Sequence, residues 1–275
     1  MRLILVPGTH LSPAAPRARA NWDAVLGYAG ANPPDAVIHL GDLTLGGAHD
    51  PGDLQYGRRQ LGRLPVPWHA VPGNHDIGGN PRPGAPPDSA VQAGRRQRWL
   101  DIIGAGHWPL TVNGWTLLAI NAQLPGSGLE AGARQWSWLG EQVGGHRDDQ
   151  RVALITHKPV TAAGAELAGS PACRFLPHSA RDRLRGLPGQ TPPALVLSGH
   201  VHQYRLLRLD GTDHLWVPST WAVLPDQVQP PLGTKRCGII ALDLASDTSP
   251  APLMAEPDGI MQLTAGTGLP DPYHR

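Results

Sequence analysis

The chain has 275 residues, 40% of them hydrophobic and 16% charged, with a formal net charge of +1. Those values fit a globular chain rather than a disordered one, long enough for one large α/β domain. Near-neutral charge leaves no electrostatic footprint for nucleic acid or an anionic membrane, and no apolar run reaches membrane-spanning length.

Two cysteines far apart in sequence, Cys173 and Cys237, do not make a disulfide scaffold. The roughly five apolar residues before Pro7 are too few for a signal-peptide core, so a reducing cytoplasm is the expected compartment. A homodimer remains open.

In chain order, the apolar run 2–6 predicts a strand. Trp22, Val25, Leu26 and Ala29 recur at i, i+3, i+4 and i+7 and predict an amphipathic helix over 17–29. A strand at 36–40 precedes a helix over 53–64, with Asp53 placed to cap it. A strand at 67–71 leads into a Gly- and Pro-rich loop over 77–87, then a helix over 95–103. Asn113-Gly114 between two apolar runs signals a hairpin. A helix over 133–143 carries Trp136, Leu139 and Val143 on one face, and a strand at 151–156 follows.

The stretch 160–192 reads as a loop-rich insertion with one short helix. Strands at 194–198, 203–209, 213–218 and 237–243 make the last third β-rich, with Asp210-Gly211 as a second hairpin turn. From Pro250 onward, composition predicts a surface segment. Alternation of helix and strand followed by a strand-rich half implies two packed sheets with helices outside them. The expected organisation is one domain over 1–249 and a tail over 250–275.

Five of the predicted strands end in a potential metal donor. His10 follows the first, Asp42 the second, Asn74-His75-Asp76 the third, His157 the strand at 151–156, and Gly199-His200-Val201-His202 the strand at 194–198. The C-terminal ends of strands are where open α/β sheets place their ligand crevices. Imidazole nitrogens and carboxylate oxygens bind divalent Zn, Mn or Fe. Two such ions about 3.5–4 Å apart can clamp a phosphoryl group during in-line displacement. Asp42 can bridge such a pair, with His10, Asn74, His157, His200 and His202 as terminal ligands and His75 facing a substrate.

Taken together, Gly8-Thr9-His10, Gly41-Asp42, Gly73-Asn74-His75-Asp76, His157 and Gly199-His200-Val201-His202 resemble the calcineurin-like metallophosphoesterases. The likeness spans about residues 2–245 and is greatest to the bacterial class III cyclic-nucleotide phosphodiesterase group. It implies a four-layer αββα sandwich of two mixed sheets and a dinuclear centre of Mn, Fe or Zn. Asp42 would bridge the ions, with Asn74, His157 and His200 on the second metal and His10 and His202 on the first. His75 would contact the phosphate and assist the leaving group, and Asp76 would orient His75.

One position departs from the family pattern. The family opens with Asp-x-His, and here the aspartate is replaced by Gly8, after Pro7. The first metal then keeps only His10, Asp42 and His202. Three outcomes stay open: two ions only when metal or substrate is abundant, a single ion, or a catalytically silent binding or scaffold protein. His49 or Asp50 either replaces the lost ligand or lies in a loop without contact.

The expected substrate is a small phosphate ester, in particular a phosphodiester of cyclic-nucleotide or glycerophosphodiester type. Lys158 either offers charge to a phosphate or is solvated. Trp108 and Trp221 fall in loops, open to stacking on a base. His39, His69, His107, His146, His178, His214 and His274 lie outside the motifs and read as structural or surface residues. Arg181, Arg183 and Arg185 read as a solvated helix face.

Overall fold

A computed structural model describes residues 1–145, 150–164, 171–187, 192–245 and 250–266. Two sheets form its centre. The first runs β11-β10-β1-β2-β3, built from β1 (Arg2–Val6), β2 (Ala36–His39), β3 (Trp68–Ala70), β10 (Ile239–Asp243) and β11 (Ala251–Ala255). In it β1, β2 and β3 are mutually parallel, while β10 pairs antiparallel with both β1 and β11.

The second sheet runs β4-β5-β6-β7-β9-β8, from β4 (Trp108–Val112), β5 (Trp115–Ile120), β6 (Arg151–Thr156), β7 (Leu195–Ser198), β8 (Arg205–Leu209) and β9 (Thr212–Trp216). Its four central strands are parallel and its two edges antiparallel.

The period-2 alternation of strand side chains divides the core. Leu3, Leu5, Ile38, Ile240 and Leu242 of the first sheet meet Leu117, Ile155, Leu197 and Leu215 of the second between the sheets. Ile4, Val6 and Val37 point the other way. They pack on Trp22 and Val25 of α1 (Pro16–Ala31), Leu54 and Leu61 of α2 (Pro51–Leu61) and Trp99.

Leu118, Ile120, Leu154 and Val196 likewise face Trp136 and Leu139, and Ala180 of the short helix at 178–185. This is the αββα sandwich, with each β residue buried on the face its parity assigns. Both hairpins turn at an Asn-Gly or Asp-Gly pair in which all four residues have positive φ, the geometry of a type I′ turn.

Two expectations shift. Helix α2 begins at Pro51, whose fixed φ and missing N–H suit the first helical position. Its cap is Asp50, which accepts the Gly52 N–H at 2.8 Å, while Asp53 in the first turn accepts from Gly46. The tail after Pro250 is also more than surface loop: residues Ala251–Ala255 add β11 to the first sheet. Pro252 is tolerated there because an edge strand need not donate outward. His146 and His274 lie outside the described residues.

Candidate metal centre

The parallel strands β1, β2, β3, β6 and β7 end at one edge of the sandwich, and each end turns sharply. Among the described residues six that are not glycine have positive φ. Two are the hairpin residues Asn113 and Asp210. The other four are His10 (45°), Asp42 (52°), His200 (68°) and His202 (51°), all candidate ligands. A left-handed residue directly after a strand swings its side chain into the crevice instead of along the sheet. That conformation costs roughly 1–3 kcal/mol when it is not glycine, and such outliers cluster at functional sites.

The first group of donors joins the two sheets. His157, after β6, directs Nδ1 at the Leu40 carbonyl at the end of β2, 2.8 Å away. A carbonyl only accepts, so Nδ1 carries the proton and Nε2 presents a lone pair. That lone pair faces Asp42 Oδ2 at 3.3 Å and Asn74 Oδ1 at 3.2 Å, three acceptors turned towards one another.

His200 is held in the opposite tautomer, its Nε2 donating to the Cys173 carbonyl at 3.0 Å, which leaves Nδ1 buried without a hydrogen-bond partner. One donor atom each from Asp42, His157 and His200 fits within 4.8 Å of the others.

The second group is His10 and His202. His202 Nδ1 donates to the Ala222 carbonyl at 2.7 Å, so its Nε2 also presents a lone pair, 3.4 Å from His10 Nε2. Donors about 2.1 Å from a tetrahedral ion lie about 3.4 Å apart, and the three separations above fall at that spacing. Burial holds His10 and His200 neutral, well below the ordinary histidine range, and lowers His202 to about 4. Burial alone would raise Asp42, but His157 and then His75 hold it well below the usual carboxylate range. A carboxylate converging with imidazole lone pairs is a donor set for a cation.

Gly8 lies at the rim of this second group with φ of 57°. A Cβ built there would sit 3.2 Å from His202 Nε2 and 2.9 Å from Ser219 Oγ. The missing aspartate would therefore have pointed at the His202 ligand atom, and the Ser219 hydroxyl fills the adjoining space. Ser219 is tied down, donating to the Gly8 carbonyl at 2.7 Å and accepting from Trp221 N–H at 3.0 Å.

His75 is seated by two contacts: its backbone N–H donates to Asp42 Oδ1 at 2.9 Å and its Nδ1 to the Leu45 carbonyl at 2.9 Å. Asp76 does not supply that orientation. Its carboxylate accepts from Leu43 N, Thr44 N, Thr44 Oγ1 and Gly73 N, at 2.7–3.1 Å. It clasps the loop after β2 to the loop after β3, and burial followed by the nearby Asp42 charge raises it to about 6.

The family model for calcineurin-like phosphoesterases matches residues 2–204. The chain belongs to that family. A curated protein of Arcobacter nitrofigilis described as "Probable glycerophosphodiester phosphodiesterase GpdQ" is 25% identical over 174 residues. That match covers 62% of this chain and 57% of the relative, little more than half its length.

Among solved structures, a dimetal phosphatase from Danio rerio superposes with a TM-score of 0.63 at 11% identity, covering 93% of this chain and 99% of that one. The purple acid phosphatase PPD1 of yellow lupin (Lupinus luteus) seeds gives 0.58 at 15% identity, over 88% of this chain and 49% of that one. GAP50, the anchor in the inner membrane complex of Plasmodium, gives 0.53 at 11% identity, over 95% and 91%. At these identities the likeness is one of fold.

Divalent ions are what the phosphoesterase family implies, and the residues present fit them. Asp42 Oδ2 and His200 Nδ1, both in the group around His157, are buried polar atoms without hydrogen-bond partners among the described residues. His49 and Asp50 do not take the place of the missing ligand: both are exposed, one facing Arg95 and the other capping α2.

Trp108 begins β4 and donates to the Ala70 carbonyl, and Trp221 is fully buried with its ring 4.6 Å from that of His10, so neither is open to a base. Lys158 is not solvated. It is 3% exposed, burial lowers it to about 8, and it donates to Asn80 Oδ1 at 2.7 Å.

On the helix at 178–185, Arg185 pairs with Asp182 and Arg183 stacks on Trp136. Sequence reasoning missed Ser219 and Asn80. Ser219 had a signal, since it follows β9 as the ligands follow their strands; Asn80, inside a Gly- and Pro-rich loop, had none. No helix among the described residues is long and apolar enough to cross a membrane.

Proposed function

We propose that this phosphoesterase hydrolyses small phosphodiesters of the cyclic-nucleotide or glycerophosphodiester type. The observation that carries the reading is the seating of His75 beside Asp42. With Nδ1 fixed on the Leu45 carbonyl, proton exchange with a substrate runs through Nε2. A diester expels an alkoxide, a poor leaving group that needs a proton, and a positioned imidazole supplies it. The relative described as a probable glycerophosphodiester phosphodiesterase supports the same class.

Bound Mn, Fe or Zn would supply charge stabilisation to the phosphoryl group and activation of the attacking water. Asn74, His157 and His200 with Asp42 would hold one ion, and His10 and His202 with Asp42 the other. A second reading, a binding or scaffold protein, is favoured by Gly8, which removes a charged ligand from one ion. A pure scaffold has no use for His75 or for the complete Asp42-Asn74-His157-His200 set.

Turnover of bis(p-nitrophenyl) phosphate across a Mn²⁺ titration separates the two. Activity rising with added Mn²⁺ supports the enzyme, and none at any concentration supports the scaffold.

A further inference from the structure

Lys158 is a buried ammonium whose hydrogen-bonding partner is an amide rather than a carboxylate. It donates to Asn80 Oδ1 at 2.7 Å, and among the described residues no acidic group lies within ion-pair distance of it. The amide is itself locked: Asn80 Nδ2 donates to the Ala122 and Pro125 carbonyls at 2.8 and 3.0 Å, so Oδ1 must face the ammonium. Lys158 is thereby drawn towards the loop after α3 (Asn74–Ile77), to the side of the donor group formed by Asp42, His157 and His200.

Asp42, the carboxylate the ions would claim, is near enough to favour the ammonium, and Arg82, exposed two residues further along the Asn80 loop, is a weaker opposing charge. The Asn80 loop and Cys173 border this place, the latter through its hold on His200. Buried charges in folded proteins are paired. Divalent ions bound next door would add to the positive charge rather than offset it.

We infer that Lys158, Asn80 and Arg82 form an anion subsite flanking the second metal position, which takes a negatively charged group of the substrate other than the scissile phosphate. This rests on the phosphodiesterase reading and narrows it. The favoured substrates carry a second phosphate or a carboxylate on one arm of the diester.

The kinetic test uses the Mn²⁺-loaded protein and three aryl phosphodiesters that differ in one arm: neutral, carboxylate-bearing and phosphate-bearing. Lower KM for a charged arm is expected. In Lys158→Met and Arg82→Ala, KM for the charged-arm diesters should rise at least about 10-fold more than for the neutral one, the scale of a charged hydrogen bond lost. The difference between carboxylate and phosphate arms identifies the group preferred. Lys158→Arg should recover part of the discrimination. Equal KM for all three arms, or equal loss on all three in both variants, overturns the inference.

A binding readout keeps this separate from the catalytic reading. EDTA-treated protein titrated with inorganic phosphate by calorimetry should bind it, and Arg82→Ala, an exposed position that does not threaten folding, should weaken binding about 10-fold. Binding without diester turnover would sink the enzyme assignment and keep the subsite. Turnover without any phosphate effect, and without arm preference, would do the reverse.

Discussion

His75 hydrogen-bonds Asp42 through its backbone N–H and the Leu45 carbonyl through Nδ1. Its ring packs edge-on against that of His10 with centroids 4.7 Å apart. Removing the ring therefore keeps the hydrogen bond to Asp42. His75→Ala should cut turnover of a diester with an alkyl leaving group about 10²–10⁴-fold, the usual worth of a positioned general acid, and that of bis(p-nitrophenyl) phosphate far less. Metal content measured by mass spectrometry should stay at the parent level. Parallel loss of metal and turnover would make the residue structural.

Gly8 allows a more pointed test. The parent protein should retain one ion per chain on desalting and need excess Mn²⁺ for a second. Gly8→Asp alone meets the Ser219 hydroxyl, and its melting temperature should fall. Gly8→Asp with Ser219→Ala should hold two ions, with the second tightened at least about 10–100-fold, the effect usual for changes even one layer further from a metal. A parent chain already retaining two ions would show that some donor other than position 8 completes the site.

The elements that carry the donors were readable because each donor directly follows a short apolar run, and a parallel strand ends in only one place. The loop chemistry was less readable. Asp76 looked like a partner for its neighbour His75, yet its hydrogen bonds go some thirty residues back, to Leu43 and Thr44, a pairing that adjacency in sequence cannot show. Lys158 reads equally as a phosphate contact or as a solvated lysine until the loop bearing Asn80 is seen to cover it.

The same strand-to-loop joints predict a trade between stability and binding. Asn tolerates the left-handed region better than His. His202→Asn should therefore match or raise the melting temperature of metal-stripped protein while lowering affinity for the loosely held ion. A clear fall in apo stability would mean that the His202–Ala222 contact outweighs backbone strain. Gly73→Ala should fail outright: a Cβ there collides with Asp42 Oδ1 and the Asp42 backbone nitrogen. The expected result is loss of bound metal, read by the same stoichiometry assay.

Across the whole molecule, the layered order of the fold followed from alternation and periodicity, whereas β11 was hidden by the proline in Ala251–Ala255. Stability should carry an acid limb set by buried neutral histidines. Burial lowers His214 to about 4 and His39 to about 3. Both lie below the unfolded value of 6.5, so the unfolded chain takes up the proton first. Their contribution is complete above about pH 6.5 and falls as pH drops through the window down to those values. It is opposed in part by Asp76, whose raised value favours the folded chain below about pH 6. At pH 5 each site costs about 2 kcal/mol.

Urea midpoints of metal-free protein at pH 7 and pH 5 should show the loss, which His10, His200 and His202 share. His214→Leu should remove one site's part of it, about 2 kcal/mol. An unchanged gap would exclude His214 as a source.

The first sheet places β10 between β1 and β11. The strand that launches His10 therefore has an open edge until residues 239–243 pair with it, although every candidate ligand is already made by residue 202. During synthesis, then, the complete set of donors leaves the ribosome before the frame that aims it is closed. Firm ion capture would then await residues 239–243 rather than the last ligand.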